Sequence, residues 1–92
     1  MHLLLFLCLW QNVDSNVIEK IEFRGLNHVS EQTVREVVHS KAGDVYDEKA
    51  LHRDFKALWD TGRFDDIQVT KETGERGGVV ERFIVTERKP VL

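Results

Sequence analysis

Cysteine is nearly missing from this chain of 92 residues: Cys8 stands alone, so no internal disulfide can form and no cysteine-based metal centre is available. Proline is as scarce, and the only one, Pro90, marks the end of the patterned part of the sequence. Neither sign of charge prevails. With 13 Lys and Arg interspersed among 16 Asp and Glu, the net charge of -3 argues against a nucleic-acid binder, which carries a basic face. No run of like charge forms a tail. A long hydrophobic run is absent too: Leu3 to Trp10 is far short of the roughly 20 residues that a membrane-spanning helix takes. Packing alone must hold the fold. A domain of this size buries only about 60 to 65% of the surface its unfolded chain exposes, which leaves little room for an internal catalytic pocket.

The start of the chain differs in composition from the rest. MHLLLFLCLW is almost wholly apolar, QNVDSN is polar, and a boundary falls near Ser15. The apolar stretch is like the central region of a secretory signal, without a preceding Lys or Arg and without a small-x-small cleavage site. Leu5-Phe6-Leu7 also lacks the small residues expected before a lipidated cysteine. Residues 1–15 therefore read as a hydrophobic leader or truncated export signal plus a linker. A misread start and a packed or interfacial segment are the other readings. Residues 16–90 read as one domain, and 91–92 as the start of a linker.

The run DEKALHRDFKALWDTGRFDDIQVTK, from Asp47 to Lys71, carries the clearest structural message. Leu51, Phe55, Leu58 and Trp59 recur at i, i+4, i+7 and i+8, an apolar helical stripe, with Asp54, Lys56 and Asp60 off it. Asp47 is the N-cap, and Tyr46 with Leu51 makes a hydrophobic staple. Gly62 stops the helix, because without a Cβ it takes the left-handed conformation that closes the last turn. Phe64 then anchors the chain, and Ile67 and Val69 alternate with Gln68 and Thr70 in a half-buried strand from about Asp65 to Glu72.

Upstream, Val17 to Arg24 reads as a strand with Ile21 and Phe23 on one face and Lys20, Glu22 and Arg24 on the other; Gly25 ends it. Ser30 caps a helix whose buried stripe is Val34, Val37 and Val38, with Val29 and Val34 as its staple and Gly43 marking its end. Three valines give weak helix propensity, so this helix should lean on tertiary packing. Downstream, TGERGG is a turn cluster and VVERFIVTE a strand, with Val79, Phe83 and Val85 on one face and Val80 and Ile84 on the other. Apolar residues on both faces suit a central strand. The order is β-α-α-β-β, an α+β fold in which two helices pack on one face of a three-stranded sheet. Hairpin pairing then leaves the second strand at an edge.

Three patterns suggest chemistry and fail on context. His52-Arg53-Asp54 copies the catalytic loop of protein kinases, yet Trp59 stands where a magnesium-binding Asn is required, and the tripeptide reads as helix surface. Gly74-Glu75-Arg76-Gly77 matches the backbone clamp of KH domains, but it joins two strands and carries an acid, so it reads as a hairpin turn. His28, His39 and His52 are spaced by eleven and thirteen residues, which fits no compact metal site. No serine or cysteine has an activating base in a recognisable motif. The sequence points to no enzyme, no metal and no cofactor.

In their order and at their intervals, VIEKIEFRG, KAGDVYDEKAL, LWDTGRFDDIQV and FIVTERKP resemble a POTRA (polypeptide-transport-associated) domain, the type strung in tandem before the barrel of outer-membrane protein assembly factors. Gly25, Gly43, Gly62, Phe64 and Glu87 fall where that family's structural positions do. The resemblance implies a POTRA-like β-α-α-β-β domain on the periplasmic side of the outer membrane of a Gram-negative type envelope. It further implies a module for protein transport and insertion. Its partners would be unfolded outer-membrane protein clients, accessory assembly subunits, neighbouring POTRA domains and a C-terminal barrel, with the membrane reached only through the parent protein. One copy without a barrel would be a fragment, a truncated gene product or an excised domain of that parent.

The implied mechanism is β-augmentation, in which a partner strand pairs with an edge through backbone groups and side chains add little selectivity. The residues assigned to it are Asp65, Asp66, Ile67, Gln68, Val69, Thr70 and Lys71, flanked by Trp59. Asp65, Asp66, Lys71 and Glu72 equally describe an ordinary edge protected by charge. Phe55 and Trp59 either line a groove beside that edge or belong to the core. An alternative function is a structural spacer that sets the geometry of neighbouring domains in a membrane-anchored protein. The related domain of a division protein would need a full-length membrane helix upstream, and Leu3 to Trp10 is too short for one.

Overall fold

The computed structural model describes residues 15–89, so the readings of residues 1–14 and of Pro90 onward lie outside the described residues. Five elements follow in the expected order: β1 (Ile18–Arg24), α1 (Glu31–Val37), α2 (Glu48–Asp60), β2 (Phe64–Thr73) and β3 (Val79–Glu87). The helix starts are set locally. Ser30 Oγ accepts the Thr33 amide at 3.2 Å, and Asp47 Oδ1 accepts the Lys49 amide at 3.1 Å, each satisfying a donor that the first turn leaves free. α2 stops where glycine permits. Gly62 takes φ 72° and donates its amide to the Trp59 carbonyl at 3.1 Å.

α1 departs from the sequence reading, since it stops at Val37, with Val38 already extended, well before Gly43. The physical cause lies in the other helix. Asp54 reaches across to accept the amides of His39 at 3.1 Å and Ser40 at 3.3 Å, together with the Ser40 hydroxyl at 2.5 Å. Donors that would continue the helix are taken by a carboxylate, and β-branched Val37 and Val38 resist little. Gly43, at φ 98°, belongs to the connection between the helices. Asp54 itself corrects a second expectation, for it is 0% exposed and not on the helix surface.

The sheet order is β1-β3-β2, which makes β3 the central strand, as its two-sided apolar pattern implied. β1 runs parallel to β3 and β2 antiparallel. Ile21, Ile67, Phe83 and Val85 meet Val34 and Leu58 from the helices, and Val38 just past α1, in one core, with Ile18 and Phe64 at its opposite ends. Phe23 and Phe83, paired in register, stack with ring centroids 5.4 Å apart. The opposite face carries a charged ladder. Arg82 bonds Glu22 at 2.9 Å and Glu72 at 2.7 Å across the three strands, and Lys20 meets Glu22 at 3.0 Å. The hydrogen bond from Arg82, then that from Lys20, pulls the Glu22 carboxyl down to about 2.

Two register shifts tie the sheet to its turns. Asp65 is the extra residue in β2, between the Phe64–Glu87 and Asp66–Thr86 pairs. Glu19 is the extra residue in β1, and its carboxylate accepts the amides of Arg76 at 2.9 Å and Gly78 at 3.2 Å. The turn at Gly74–Gly77 is thus clamped by the first strand, which supports the hairpin reading. At the other end of the sheet, the Glu87 carboxylate accepts the amides of Asn27, His28 and Val29. These bonds, the one from Asn27 foremost, hold its carboxyl below the usual range. Gly25 is required where the chain leaves β1, because a Cβ there would collide with the Val85 carbonyl oxygen.

Candidate partner-binding edge

The hydrogen bond from the Gly74 amide to the Gly78 carbonyl, 2.9 Å, fixes the phase of the β2–β3 ladder. Counting back in register, Glu72, Thr70, Gln68 and Asp66 turn both backbone groups to β3, paired with Val80, Arg82, Ile84 and Thr86. Ile67, Val69 and Lys71 therefore turn their N–H and C=O groups away from the sheet. Among the described residues, no hydrogen bond from outside β2 and β3 occupies those outward groups. The same three residues direct their side chains to the helix-covered face. Ile67 is buried in the core, Val69 is half-buried and Lys71 is exposed.

Between this edge and α2 lies an open groove lined by Tyr46, Glu48, Leu51, His52, Phe55 and Val69. Lys71 Nζ stands 4.5 Å from the centroid of the Tyr46 ring, a cation held over the aromatic face. Phe55 borders both the groove and the core. Trp59 meets Phe55 edge-on at 6.0 Å and keeps 37% of its surface exposed, on the flank of the groove. The acidic end of the edge is engaged: Asp65 pairs with Arg88 at 3.3 Å, and Asp66 accepts from Gln68 Nε2 at 3.4 Å. The residues read from the sequence as a site thus form one strip. Its usable groups are backbone at Ile67, Val69 and Lys71, and side chain at Val69, Lys71 and Trp59.

Sequence reasoning missed a buried acid directly beneath this strip. Glu81 faces the helices, is 1% exposed and lies opposite Lys71 in the ladder. Burial, and next the negative charge of Asp54, push its carboxyl up to about 7. The signal was available, since Glu81 shares the period-two parity of Val79, Phe83 and Val85. Among the described residues, no three of His, Cys, Asp and Glu come together as a metal-binding set.

The POTRA family model, described as surface antigen variable number repeat, matches residues 16–88. The chain is similar to the outer membrane protein assembly factor BamA of Nitratidesulfovibrio vulgaris, 32% identical over 73 residues that make up 79% of this chain and 9% of that one. In structure it is similar to the N-terminal domain of Omp85 from the thermophilic cyanobacterium Thermosynechococcus elongatus. That likeness has a TM-score of 0.75 at 21% identity and covers 82% of this chain and 36% of the other. It is also similar to POTRA1-2 of the periplasmic domain of Omp85 from Anabaena, with a TM-score of 0.67 at 25% identity over 83% of this chain and 47% of that one. The family match over residues 16–88 agrees with the β-α-α-β-β order and the helices-on-sheet packing, and the chain belongs to the POTRA family.

Proposed function

We propose that this chain is a non-catalytic, periplasmic binding module of an outer-membrane protein assembly machine, one that engages extended segments of clients or accessory subunits by β-augmentation on β2. The observation that carries the reading is the outward backbone of Ile67, Val69 and Lys71 beside an apolar groove. An added strand would pair with those groups and lay alternate side chains between Val69 and the Tyr46, Leu51 and Phe55 rim. Its remaining side chains would point to the charged face, near Gln68 and Thr70. Backbone pairing tolerates varied sequences, which suits a module that meets many clients. The curated relative is named an assembly factor, and this chain matches a small part of its length.

A spacer role is the second reading, favoured by the charge at the strip's ends, Asp65, Asp66 and Glu72, which discourages pairing. Titrating the isotope-labelled chain with a synthetic peptide that alternates apolar and polar residues, the pattern of a transmembrane β-strand, separates the two. Augmentation predicts shifts of the Ile67, Val69 and Lys71 amides. A spacer predicts none.

A further inference from the structure

Glu81 is the buried group that the fold leaves least accounted for. It sits in the middle of the central strand, 1% exposed, and its Oε1 has no hydrogen-bond partner among the described residues. The groups around it differ by element. From β1, its register partner is apolar Ile21. From α2 comes the charge of Asp54, whose oxygens are taken by His39 and Ser40 and whose Oδ1 lies 3.7 Å from Arg53 Nε. α1 turns Val34 to the core, and its Arg35 is occupied by the Ile21 carbonyl and the face of Phe23. From β2, its partner is Lys71, in one of the pairs whose backbone groups turn away from each other. Side chains in such pairs are the closest in an antiparallel ladder, with Cβ atoms about 4.5 to 5.5 Å apart. The cation set opposite Glu81 is therefore the one that lies on Tyr46.

We propose that Lys71 is a two-position latch on the partner groove: it lies over the Tyr46 ring while Glu81 keeps its proton, and turns inward to the Glu81 carboxylate once that proton leaves to solvent. The flexible four-carbon stem of lysine allows both positions from one backbone. Turning inward gives the unpartnered oxygen a charge-assisted hydrogen bond, which a buried carboxylate needs far more than a neutral acid does. It also bares the Tyr46 ring, the part of the groove that would receive an apolar or aromatic side chain of an added strand. With the Glu81 carboxyl raised to about 7 by burial and Asp54, the exchange falls near neutrality. The latch's role in binding rests on the β-augmentation reading; its two positions do not.

A pH titration by NMR from about pH 5.5 to about pH 8.5 tests it on the free chain, following the Glu81 side-chain carboxyl carbon, the Lys71 ε-methylene and the Tyr46 ring. The latch predicts that all three move with one midpoint near 7, and that the Lys71 and Tyr46 movements vanish in Glu81→Gln. Titration of Glu81 with Lys71 and Tyr46 unmoved overturns it. So does a Tyr46 movement that persists in Glu81→Gln, which would belong to a group other than Glu81. In a second arm, the alternating peptide should bind about fivefold more tightly at about pH 8 than at about pH 6, the lower end of ordinary coupling between sites, and Glu81→Gln should abolish that dependence. Binding that is independent of pH in the unaltered chain counts against the latch. Absence of peptide binding at every pH sinks the augmentation reading alone, and the titration of the free chain then decides the latch.

Discussion

At the β1 edge of the sheet, the outward amide of Ile18 donates to the Asp44 carbonyl at 2.8 Å, and its own carbonyl accepts the Gly43 amide at 2.8 Å. Tyr46 donates to Asn16 in the same stretch, Val17 bridges Val45, and Arg35 takes the Ile21 carbonyl at 3.0 Å. At the β2 edge, the outward groups of Ile67, Val69 and Lys71 meet no comparable cover among the described residues. The β1 edge is covered at its start by the connection between the helices and at the Ile21 carbonyl by Arg35. The other is guarded only by charge at its ends and by Lys71 on Tyr46. Exposed edges template pairing with other chains, and among the described residues β2 is the edge with the less cover.

Four substitutions bear on this contrast between the edges. Asp54 holds His39 and Ser40 at the start of the connection that closes β1. Asp54→Ala should cost about 3 kcal/mol in chemical denaturation, less what Glu81 gains from losing a negative neighbour, and should speed amide exchange at Ile18. Rapid unfolding without faster exchange at Ile18 alone would separate stability from cover.

Glu81 acts beneath the open edge. Its folded-state value, about 7, lies above the ordinary 4.5, so the stability tied to its proton is full below about 4.5 and is lost as pH rises through about 7. Such a shift corresponds to about 3 kcal/mol at full expression, and local relaxation should leave about 2 kcal/mol. Glu81→Gln should therefore match the unaltered chain at about pH 4 and exceed it by about 2 kcal/mol at about pH 9, read as denaturation midpoints across pH.

Gly62 aims the chain into β2 at φ 72°, so Gly62→Val should cost about 1 to 2 kcal/mol in thermal unfolding. Arg35→Met should cost about 0.5 to 1 kcal/mol, since it removes one partly buried bond to the Ile21 carbonyl. If the alternating peptide then shifts amides of Ile21 and Phe23, both edges can accept strands and the contrast is one of covering alone.

Much of this was legible because it is written within a turn or two of chain. Ser30, Asp47 and Gly62 act on amides and carbonyls a few residues away, and the apolar parity of β3 declares a strand with neighbours on both sides. What escaped was decided across the fold. The end of α1 is set by Asp54, 14 to 15 residues downstream of the amides it takes. Asp54 looked like surface because it is charged, although it lies three residues after Leu51 and four before Leu58, inside the apolar arc. Glu81 was hidden by the same assumption. The cover over β1 comes from the connection around Gly43 to Tyr46, which carries no strand pattern. The outward phase of β2 needed the ladder itself. In each case the deciding neighbour lay outside any local window of the chain.

Whether the outward amides of β2 receive a partner strand is decided by comparing Val69→Pro with Val69→Ala. The Val69 amide is not part of the ladder, so proline there leaves the sheet paired while removing one donor from the open edge. Both variants should fold, and Val69→Pro should bind the alternating peptide about fivefold to tenfold more weakly than Val69→Ala, the effect of losing about one net hydrogen bond. Equal affinities in two folded variants would contradict strand addition at β2.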